Sequence, residues 1–367
     1  REWLSLVESK SGERGIFNRK SAVEQAGKNG RRDTNYAFGC NPCSEIILRP
    51  YQFCNLSEVV IRAEDTEETL LEKVEMATIL GTFQATLTDF KYLRSIWRKN
   101  TEEERLLGVS LTGIMDNKLF NDYNTMFFED GQQVFDGSRV GGILTKLKEK
   151  AIEVNKKYSE MLGINQSTAI TCVKPSGTVS QLVDSASGIH ARHSAYYIRT
   201  VRGDNKDPLT QFMIDSGIPN EPDVMKPDST TVFSFPMKSP EGATTRNEMS
   251  AINQLNLWKT FQEYWCEHKP SVTISVKEDE WMKVGAWVYE NFDDISGISF
   301  LPHSEHTYAQ APYQEITEEE YKNLDKRMPD MIDWKKLQDF EKEDNTTGSK
   351  ELACSAGVCE VVDIEST

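Results

Sequence analysis

Short apolar, β-branched runs alternate with helical patterns along this chain, and this alternation constrains its fold more than any other feature. The strand-like runs are Ser167 to Val173, Thr230 to Phe235 and Ser271 to Val276. The helical patterns that separate or follow them are at 207–216, 250–267 and 278–290. Strands that alternate with helices are typical of an α/β layer or barrel, so we assign the chain to the α/β class.

Further helical patterns occupy the first half of the chain. Thr66 can cap a helix that we predict to continue to Asn100, because glutamates follow in its first turns and apolar residues recur at helical spacing. We predict a second helix from Thr101 to about Met115, and a third over about 131–162.

Composition and charge exclude several classes of protein. The 367 residues, 38% of them hydrophobic, are enough for one large or two ordinary domains with a core. No apolar run reaches the length of a membrane span and no signal peptide is visible, so we expect a cytoplasmic protein without a membrane partner. The net charge of −16 argues against a nucleic-acid-binding surface.

The seven cysteines are odd in number and uneven in spacing. They are Cys40, Cys43, Cys54, Cys172, Cys266, Cys354 and Cys359. Together with the lack of a visible secretion signal, this pattern fits a reducing compartment and catalytic thiols better than a disulfide framework.

One pentapeptide, Asn-Pro-Cys-Ser-Glu at 41–45, forms a compact candidate reactive site. In extended backbone, alternate residues point to one face, so we expect Asn41, Cys43 and Glu45 to converge on the same ligand. The amide can donate and accept hydrogen bonds, the carboxylate can act as a base, and the sulfur can do redox chemistry. Cys54 is far enough along the chain for a loop to return with a second thiol. Such a set suits a polyhydroxylated substrate such as a ribose; the alternative is a loop with two buried, inert cysteines.

A second motif, Lys-Pro-Ser-Gly-Thr-Val-Ser at 174–180, follows a predicted strand and precedes a predicted short helix. Glycine allows close backbone approach, the hydroxyl groups can donate hydrogen bonds, and free N–H groups at the helix start would bind phosphate. The candidate phosphate-binding residues are Ser176, Gly177, Thr178, Val179 and Ser180. The alternative is an ordinary strand-to-helix turn.

The C-terminal pair Cys354 and Cys359 lies behind a polar segment, 341–350, whose composition is that of a flexible linker. Small residues between the two thiols let them close as a disulfide, and the linker gives them reach to a buried site. The alternatives are an incidental tail, or half of a zinc site completed by Cys40 and Cys43. We find no other constellation for a protein-bound metal.

Together these motifs resemble those of ribonucleotide reductases. Asn-x-Cys-x-Glu at 41–45, followed by Cys-Asn-Leu-Ser-Glu at 54–58, looks like the finger loop of that family. The monomeric, adenosylcobalamin-dependent (class II) ribonucleoside-triphosphate reductases are most similar in two respects. These are the short interval between Cys43 and Cys54, and the sequence of residues 184–199. The likeness extends from about residue 11 to the last residue.

The resemblance implies the C-terminal half of a ten-stranded α/β barrel, with a central finger loop at about 38–58, in a domain spanning 1–310. Residues 311–349 would be an acidic linker region, and 350–367 a flexible redox-active tail. Because the chain opens at Arg1 within an apolar pattern, we expect it to be the C-terminal portion of a longer polypeptide. The missing portion would carry the rest of the barrel and the site for a deoxynucleotide effector.

The resemblance also implies an oxidoreductase that reduces ribonucleoside triphosphates to 2′-deoxyribonucleoside triphosphates for DNA synthesis, with adenosylcobalamin as cofactor. A thiyl radical on Cys43 would take the 3′-hydrogen of the ribose. Glu45 would take the 3′-OH proton, and Asn41 would hydrogen-bond the substrate hydroxyls. Cys54 and a partner cysteine would then supply two electrons and become a disulfide.

The resemblance leaves the partner of Cys54 unassigned, because that cysteine should lie on an early barrel strand outside this chain. Cys40 and Cys172 are the only local substitutes. Cys354 and Cys359 would reset the disulfide and pass the oxidation to thioredoxin or a similar dithiol reductant.

Two other functions stay open. The first is the large subunit of a class I ribonucleotide reductase, which would need a separate radical-generating subunit. In that class, two adjacent tyrosines relay the radical. We interpret Tyr196 and Tyr197 as aromatic residues of a strand instead, because they follow the 174–180 loop closely in the sequence. The second is a zinc- or thiol-based interaction protein on an α/β scaffold.

Overall fold

A computed structural model describes residues 2–9, 12, 14–121, 126–129, 132–135, 137–303 and 309–341. Within 122–138 it describes only the backbone of the residues included in these ranges. The chain divides into two compact units. The first comprises Arg1–Arg192 and Glu241–His303, and the second comprises His193–Pro240 and Ser304–Thr367.

The helices of the described residues are α1 (Glu2–Ser9), α2 (Arg19–Gly27), α3 (Glu67–Gln84), α4 (Ser95–Glu104), α5 (Lys118–Asn121), α6 (Gly137–Leu162), α7 (Val179–Leu182), α8 (Pro208–Asp215), α9 (Ala251–Tyr264), α10 (Trp281–Glu290), α11 (Glu318–Asp325) and α12 (Leu337–Phe340). The predicted helices over 207–216, 250–267 and 278–290 are therefore confirmed as α8, α9 and α10. The helix predicted over 131–162 is confirmed as α6 from Gly137 onward, but its predicted start was wrong, because Gln132–Phe135 form a strand. None of the helices in the described ranges is long and apolar enough to cross a membrane.

The strands are β1 (Gly15–Ile16), β2 (Gly39–Cys40), β3 (Ile47–Leu48), β4 (Asn55–Val60), β5 (Leu107–Thr112), β6 (Met126–Glu129), β7 (Gln132–Phe135), β8 (Thr171–Cys172), β9 (Tyr196–Asp204), β10 (Asn220–Pro222), β11 (Thr230–Lys238), β12 (Thr273–Val276), β13 (Ile298–Pro302) and β14 (Tyr313–Glu315). The chain is thus mixed α/β, as the alternating pattern predicts.

Parallel strands form the frame of the first unit. β4, β5 and β8 pair in that order, and β12 pairs with β13. A parallel bridge between Val173 and Pro270 joins the two groups, and the N–H of Ser271 donates to the carbonyl of Val173 at 2.8 Å. The strand order therefore continues as β4-β5-β8-β12-β13. Parallel neighbours need crossover connections, and these contain α3, α6, α9 and α10.

β5 shows how this sheet separates the core from the site. All six of its residues are buried. Val109 and Leu111 belong to the apolar core, which also contains α3, α6, α9 and α10 side chains. The alternate residues Gly108, Ser110 and Thr112 point to the other side of the sheet, as the twofold repeat of a strand requires. That second side carries the candidate site.

The prediction of one helix from Thr66 to Asn100 was wrong in its length. Thr66 does cap α3, since its side chain accepts the N–H of Thr69 and the Thr69 side chain accepts the N–H of Thr66. The helix ends at Gln84, however, and ten residues separate it from the start of α4 at Ser95. In between, the Thr86 hydroxyl donates to the carbonyl of Phe83 at 2.7 Å, a local bond that competes with continued helix.

The predicted helix from Thr101 to Met115 was also wrong. Thr101 and the three glutamates after it end α4, where Arg105 adopts a left-handed conformation with φ +44°. The apolar run that follows is β5. A strand buried on both faces is continuously apolar, so periodicity alone does not distinguish it from a buried helix.

The second unit is built on an antiparallel sheet with the order β10-β11-β9-β14. Tyr196 and Tyr197 lie on β9, which confirms their interpretation as strand aromatics. The ring centroid of Tyr197 lies 6.0 Å from that of Tyr313, which is on β14. Residues 313–340 thus contain a strand and two helices, although the resemblance implies a linker there; the boundaries at 310 and 349 stay a prediction.

Candidate functional site

The Asn-Pro-Cys-Ser-Glu segment is the tight loop of the β2–β3 hairpin. The N–H of Asn41 donates to the carbonyl of Ile46 at 3.3 Å, and the N–H of Ser44 donates to the carbonyl of Asn41 at 2.9 Å. Ser44 has φ +69°. The prediction of an extended backbone was therefore wrong, because the turn replaces the alternation of side chains. The Asn41 side-chain oxygen accepts the N–H of Ile46 at 3.0 Å and stabilises this turn.

Lys174 nevertheless brings Cys43 and Glu45 together. Cys43 is exposed, whereas the Glu45 side chain is fully buried. Lys174 Nζ lies 3.3 Å from Glu45 Oε1. Burial alone would lower the pKa of Lys174, but the charges of Glu45 and Cys43 and hydrogen bonds to both raise it above its ordinary value. Lys174 is thus a cation shared by the proposed base and the reactive thiol.

The second oxygen of Glu45 has no partner among the residues that the structure describes. Among the described residues, Glu45 Oε2 is buried and forms no hydrogen bond. A buried carboxylate oxygen without a donor is costly, so a ligand that brings a hydroxyl group would satisfy it. This unpartnered acceptor is the clearest sign in the structure of a polar ligand beside Cys43.

Cys54 directly precedes β4 on the same side of the sheet. A Cβ atom on Gly108 would lie only 3.2 Å from its sulfur, which shows how closely the thiol packs against β5. Burial, followed by the charge of Glu45, raises the pKa of Cys54 well above its usual range. The loop therefore returns as predicted, and it places a neutral thiol in the electrostatic surroundings of Glu45 and Lys174.

The remaining described cysteines differ in exposure. Cys40, on β2, is exposed, whereas Cys172 and Cys266 are buried, and none of them forms a disulfide. Burial, then the charges of Glu45 and Cys54, raise the pKa of Cys172. Both substitutes for the partner of Cys54 thus lie in the first unit, and the structure does not pair either with it.

The 174–180 loop lies between β8 and α7, as predicted. Ser176 is buried with φ +53°, while residues 177–179 are exposed. Within the described part of the chain, the backbone N–H groups of 177–179 donate to no protein acceptor. The hydroxyl of Ser180 donates to the carbonyl of Ser176 and lies 2.7 Å from the hydroxyl of Ser187, so it holds the loop internally. α7 has only four residues, so exposed N–H groups, and not a helix dipole, are what this loop offers an anion.

Glu58 is a site residue that the sequence reasoning missed. Cys54, Leu56 and Glu58 alternate along β4, and Glu58 is level with Ser110 on β5. Burial raises the pKa of Glu58, and the Ser176 hydroxyl and the Lys174 ammonium only partly offset this. Its Oε1 is buried and forms no hydrogen bond with any described residue. The twofold alternation from Cys54 could have indicated it.

His268 and Lys269 form hydrogen bonds with the β2–β3 hairpin, and the sequence analysis identified neither of them as a site residue. The N–H of Lys269 donates to the carbonyl of Glu45 at 3.2 Å, and His268 Nδ1 accepts the N–H of Ile47 at 3.3 Å. His268 Nε2 lies 2.9 Å from the carbonyl oxygen of Leu107. Burial, with a smaller effect of a nearby arginine, lowers the pKa of His268 to about 3, so this ring is a neutral structural group.

The C-terminal cysteine pair and the protein-bound metal are the two remaining subjects of the sequence predictions. Cys354 and Cys359 are outside the described residues. Within the described ranges, no group of three or more His, Cys, Asp or Glu side chains is arranged to hold a metal ion.

Comparisons with known proteins are specific to one family. No protein-family model matches the chain. An adenosylcobalamin-dependent ribonucleoside-triphosphate reductase of Lactobacillus acidophilus is 30% identical over 345 residues, which cover 88% of this chain and 45% of the relative. The chain thus spans about half the length of the curated relatives it matches.

Solved structures agree with this comparison. The crystal structure of a B12-dependent (class II) ribonucleotide reductase matches with a TM-score of 0.76 and 26% identity, over 93% of this chain and 50% of that one. The alpha subunit of a class Id ribonucleotide reductase from Actinobacillus ureae matches with a TM-score of 0.54 and 15% identity, over 82% of this chain and 61% of that one. At that identity the second likeness shows the fold alone.

Proposed function

Because the chain belongs to the adenosylcobalamin-dependent (class II) ribonucleoside-triphosphate reductase family, we propose that it supplies the catalytic residues for reducing ribonucleoside triphosphates to 2′-deoxyribonucleoside triphosphates. The observation that carries this proposal is the exposed Cys43 thiol beside a buried carboxylate, Glu45, whose second oxygen lacks a donor in the described part of the chain. Lys174 links the two. These groups suit the removal of a hydrogen atom and a proton from adjacent atoms of one sugar.

In this proposal Cys43 is the hydrogen-atom acceptor. Bound adenosylcobalamin would supply the organic radical that starts the chemistry, and the exposure of Cys43 leaves its sulfur accessible to such a group. Once that radical has removed the S–H hydrogen, the Cys43 sulfur would take the 3′-hydrogen of the ribose and later return it. Glu45 accepts the 3′-OH proton at Oε2, since Oε1 is paired with Lys174.

Asn41 and Cys54 have complementary roles. Because the Asn41 oxygen is used within the hairpin, its amide nitrogen is the group that would donate to a substrate hydroxyl. Cys54 is held neutral by burial, so it can deliver a proton to the leaving 2′-OH before its sulfur is oxidised. Its partner cysteine stays open between Cys40, Cys172 and a residue outside this chain.

The 174–180 loop is the proposed site for the substrate phosphates. The exposed N–H groups of Gly177, Thr178 and Val179 would donate to phosphate oxygens, which is consistent with their lack of acceptors among the described residues. Ser176 and Ser180 support the loop from its buried side. The proposed role of Ser180 is therefore structural.

The rest of the proposal follows the family resemblance. The five parallel strands would form half of a ten-stranded barrel around the finger loop at 38–58. Cys354 and Cys359 would reset the oxidised active-site thiols and pass the oxidation to thioredoxin or a similar dithiol, in the cytoplasm. A deoxynucleotide effector would bind outside this chain, and the proposal requires no protein-bound metal.

The test uses the full-length enzyme, this chain alone, and the Cys43→Ser variant of the full-length enzyme. Each is mixed with adenosylcobalamin, a dithiol and a ribonucleoside triphosphate, and deoxynucleotide formation and cobalamin absorbance are followed. We expect turnover only in the unmodified full-length enzyme, and nucleotide binding that survives in Cys43→Ser. Activity retained by Cys43→Ser would refute the role of Cys43. Turnover without cobalamin would favour a class I enzyme.

A further inference from the structure

Cys40 is an exposed thiol for which the proposed reaction has no settled use. It ends β2 and lies three residues before Cys43, in the sequence Cys-Asn-Pro-Cys. Its sulfur accepts a hydrogen bond from the Ser44 hydroxyl at 3.7 Å. The side chain of Ser44 therefore turns toward Cys40.

Lys269 continues this hydrogen-bond chain into the protein. Its side chain is buried, and Nζ donates to the Ser44 hydroxyl at 2.9 Å and to the Ser296 carbonyl at 3.2 Å. The ammonium also lies 4.6 Å from the centre of the Phe17 ring. Burial lowers the pKa of Lys269 to about 8, because few groups around it compensate for the loss of water.

Lys269 lacks a carboxylate partner in the part of the chain that the structure describes. The Glu45 carboxylate, whose charge acts on Lys269, pairs with Lys174 instead. A buried cation without a counter-charge is costly. Negative charge on the Cys40 sulfur would provide that counter-charge, because the Ser44 hydroxyl connects this sulfur to the Lys269 ammonium.

From these contacts we infer that Cys40 is a second nucleophilic thiol of the hairpin, and that it forms a reversible disulfide with Cys43 in the presence of a small-molecule disulfide. Both sulfurs are accessible to such an oxidant, since both residues are exposed. The 2.9 Å bond from the N–H of Ser44 to the carbonyl of Asn41 closes a turn around Cys43 and so limits the separation of the two cysteines.

The exchange proceeds in two balanced steps. The Cys43 thiol, as thiolate, attacks R–S–S–R, which gives a Cys43–S–S–R mixed disulfide and releases one R–SH. The Cys40 thiolate then attacks the Cys43 sulfur, which forms the Cys40–Cys43 bond and releases the second R–SH. Two protein thiols are oxidised by two electrons, and one external disulfide is reduced to two thiols.

Oxidised in this way, Cys43 has no S–H bond and cannot exchange a hydrogen atom with a substrate. A dithiol reverses the reaction. The hairpin would thus protect its own reactive sulfur reversibly, in place of further oxidation to sulfinic acid. This inference does not rest on the proposed reductase activity, because it needs neither nucleotide nor cobalamin.

The test treats the full chain with oxidised glutathione, alkylates the remaining thiols and maps the cysteines by mass spectrometry. We expect a peptide with a Cys40–Cys43 disulfide, two hydrogens lighter than the reduced form, that dithiothreitol returns to two alkylated thiols. Cys43 that stays fully alkylatable after oxidation would overturn the inference. A disulfide between Cys43 and Cys54 would overturn it equally.

Three variants separate the two steps. In Cys40→Ser, Cys43 should stop at the glutathione mixed disulfide. Ser44→Ala keeps both thiols but removes the hydrogen-bond link to Lys269, so the rate of disulfide closure should fall several-fold. The control Ser95→Ala, at an exposed position in α4, should close its disulfide at the rate of the unmodified chain.

Lys269→Met tests the charge itself by a second readout. In this variant, alkylation of Cys40 at neutral pH should slow several-fold relative to alkylation of Cys43. Unchanged rates in both Ser44→Ala and Lys269→Met would refute the activation of Cys40.

Discussion

At the scale of single residues, Lys174 links the two motifs that the sequence presents separately. It starts the loop at 174–180, yet its ammonium lies 3.3 Å from Glu45 in the β2–β3 hairpin. Since Glu45 is fully buried, removing this cation would leave a carboxylate in the interior without its ion pair. Lys174 is therefore a positioning residue for the proposed base.

We expect Lys174→Met to lower kcat by roughly 10²-fold, the typical cost of displacing a reacting group by about 1 Å. The free energy of unfolding should fall by about 1–3 kcal/mol, because a buried acceptor loses its donor. Steady-state kinetics of the full-length enzyme and urea unfolding of the chain measure the two effects.

The matched control is Lys150→Met. Lys150 forms a 2.7 Å ion pair with Glu75 on the helical surface, where such pairs contribute less than about 1 kcal/mol. The kcat of the Lys150→Met variant should equal that of the unmodified enzyme. Equal kcat values for the two variants would show that Lys174 does not position Glu45.

At the scale of elements, the close contact of β4, β5 and the hairpin sets the place of Cys54. A Cβ atom on Gly108 would lie 2.5 Å from Leu56 Cδ2 and 3.0 Å from Ile46 Cδ1. Something must therefore move if this glycine acquires a side chain.

We expect Gly108→Ala to destabilise the chain by about 1–3 kcal/mol, the usual range for overpacking, and to change the rate of Cys54 alkylation. Gly142→Ala is the control, because nothing lies within 4 Å of a Cβ atom at Gly142 in α6. That control should gain about 0.5–1 kcal/mol, as alanine does over glycine within a helix. Chemical denaturation measures both. A neutral Gly108→Ala would mean that Leu56 moves aside freely.

Elements differ in how far the sequence alone could predict them. Amphipathic helices such as α6 and α9 were predicted because a polar face alternates with an apolar one. β5 was mistaken for helix because both of its faces are buried. The hairpin loop was predicted as a reactive site from Cys43 and Glu45, but its turn geometry was not, since Ser44 gives no glycine-like signal for a positive φ.

The site residues that the sequence analysis missed share one physical cause. Glu58, His268 and Lys269 become site residues only through tertiary contacts, and Lys269 meets Glu45 from 224 positions along the chain. Local sequence patterns do not predict contacts between residues so far apart in the chain. The motifs therefore indicated candidate reactive residues, whereas the groups that surround them could be recognised only from the fold.

At the scale of the whole molecule, a buried neutral histidine makes stability depend on pH. The pKa of His268 is lowered from 6.5 to about 3 by burial. The unfolded chain therefore binds a proton that the folded chain does not, between those two values. This contribution to stability is fully present above pH 6.5 and is lost as the pH falls toward 3.

We expect the free energy of unfolding to fall between pH 6.5 and pH 4.5, with a His268 contribution of at most about 1.4 kcal/mol per pH unit. His268→Gln keeps a donor and an acceptor but does not titrate, so its stability should depend less steeply on pH. Urea unfolding of both proteins at several pH values measures the difference. Parallel pH profiles would show that His268 does not carry this proton linkage.

The strand order has a practical consequence for anyone who prepares this chain by itself. β4 pairs with β5 on one side, and within the described residues no strand pairs with its other side. Phe53, two residues before β4, and Leu56, on β4, are also exposed. An open strand edge with apolar neighbours is a template for pairing between molecules. Low protein concentration and early size-exclusion chromatography are therefore sensible precautions, because precipitates could be mistaken for a failure to fold.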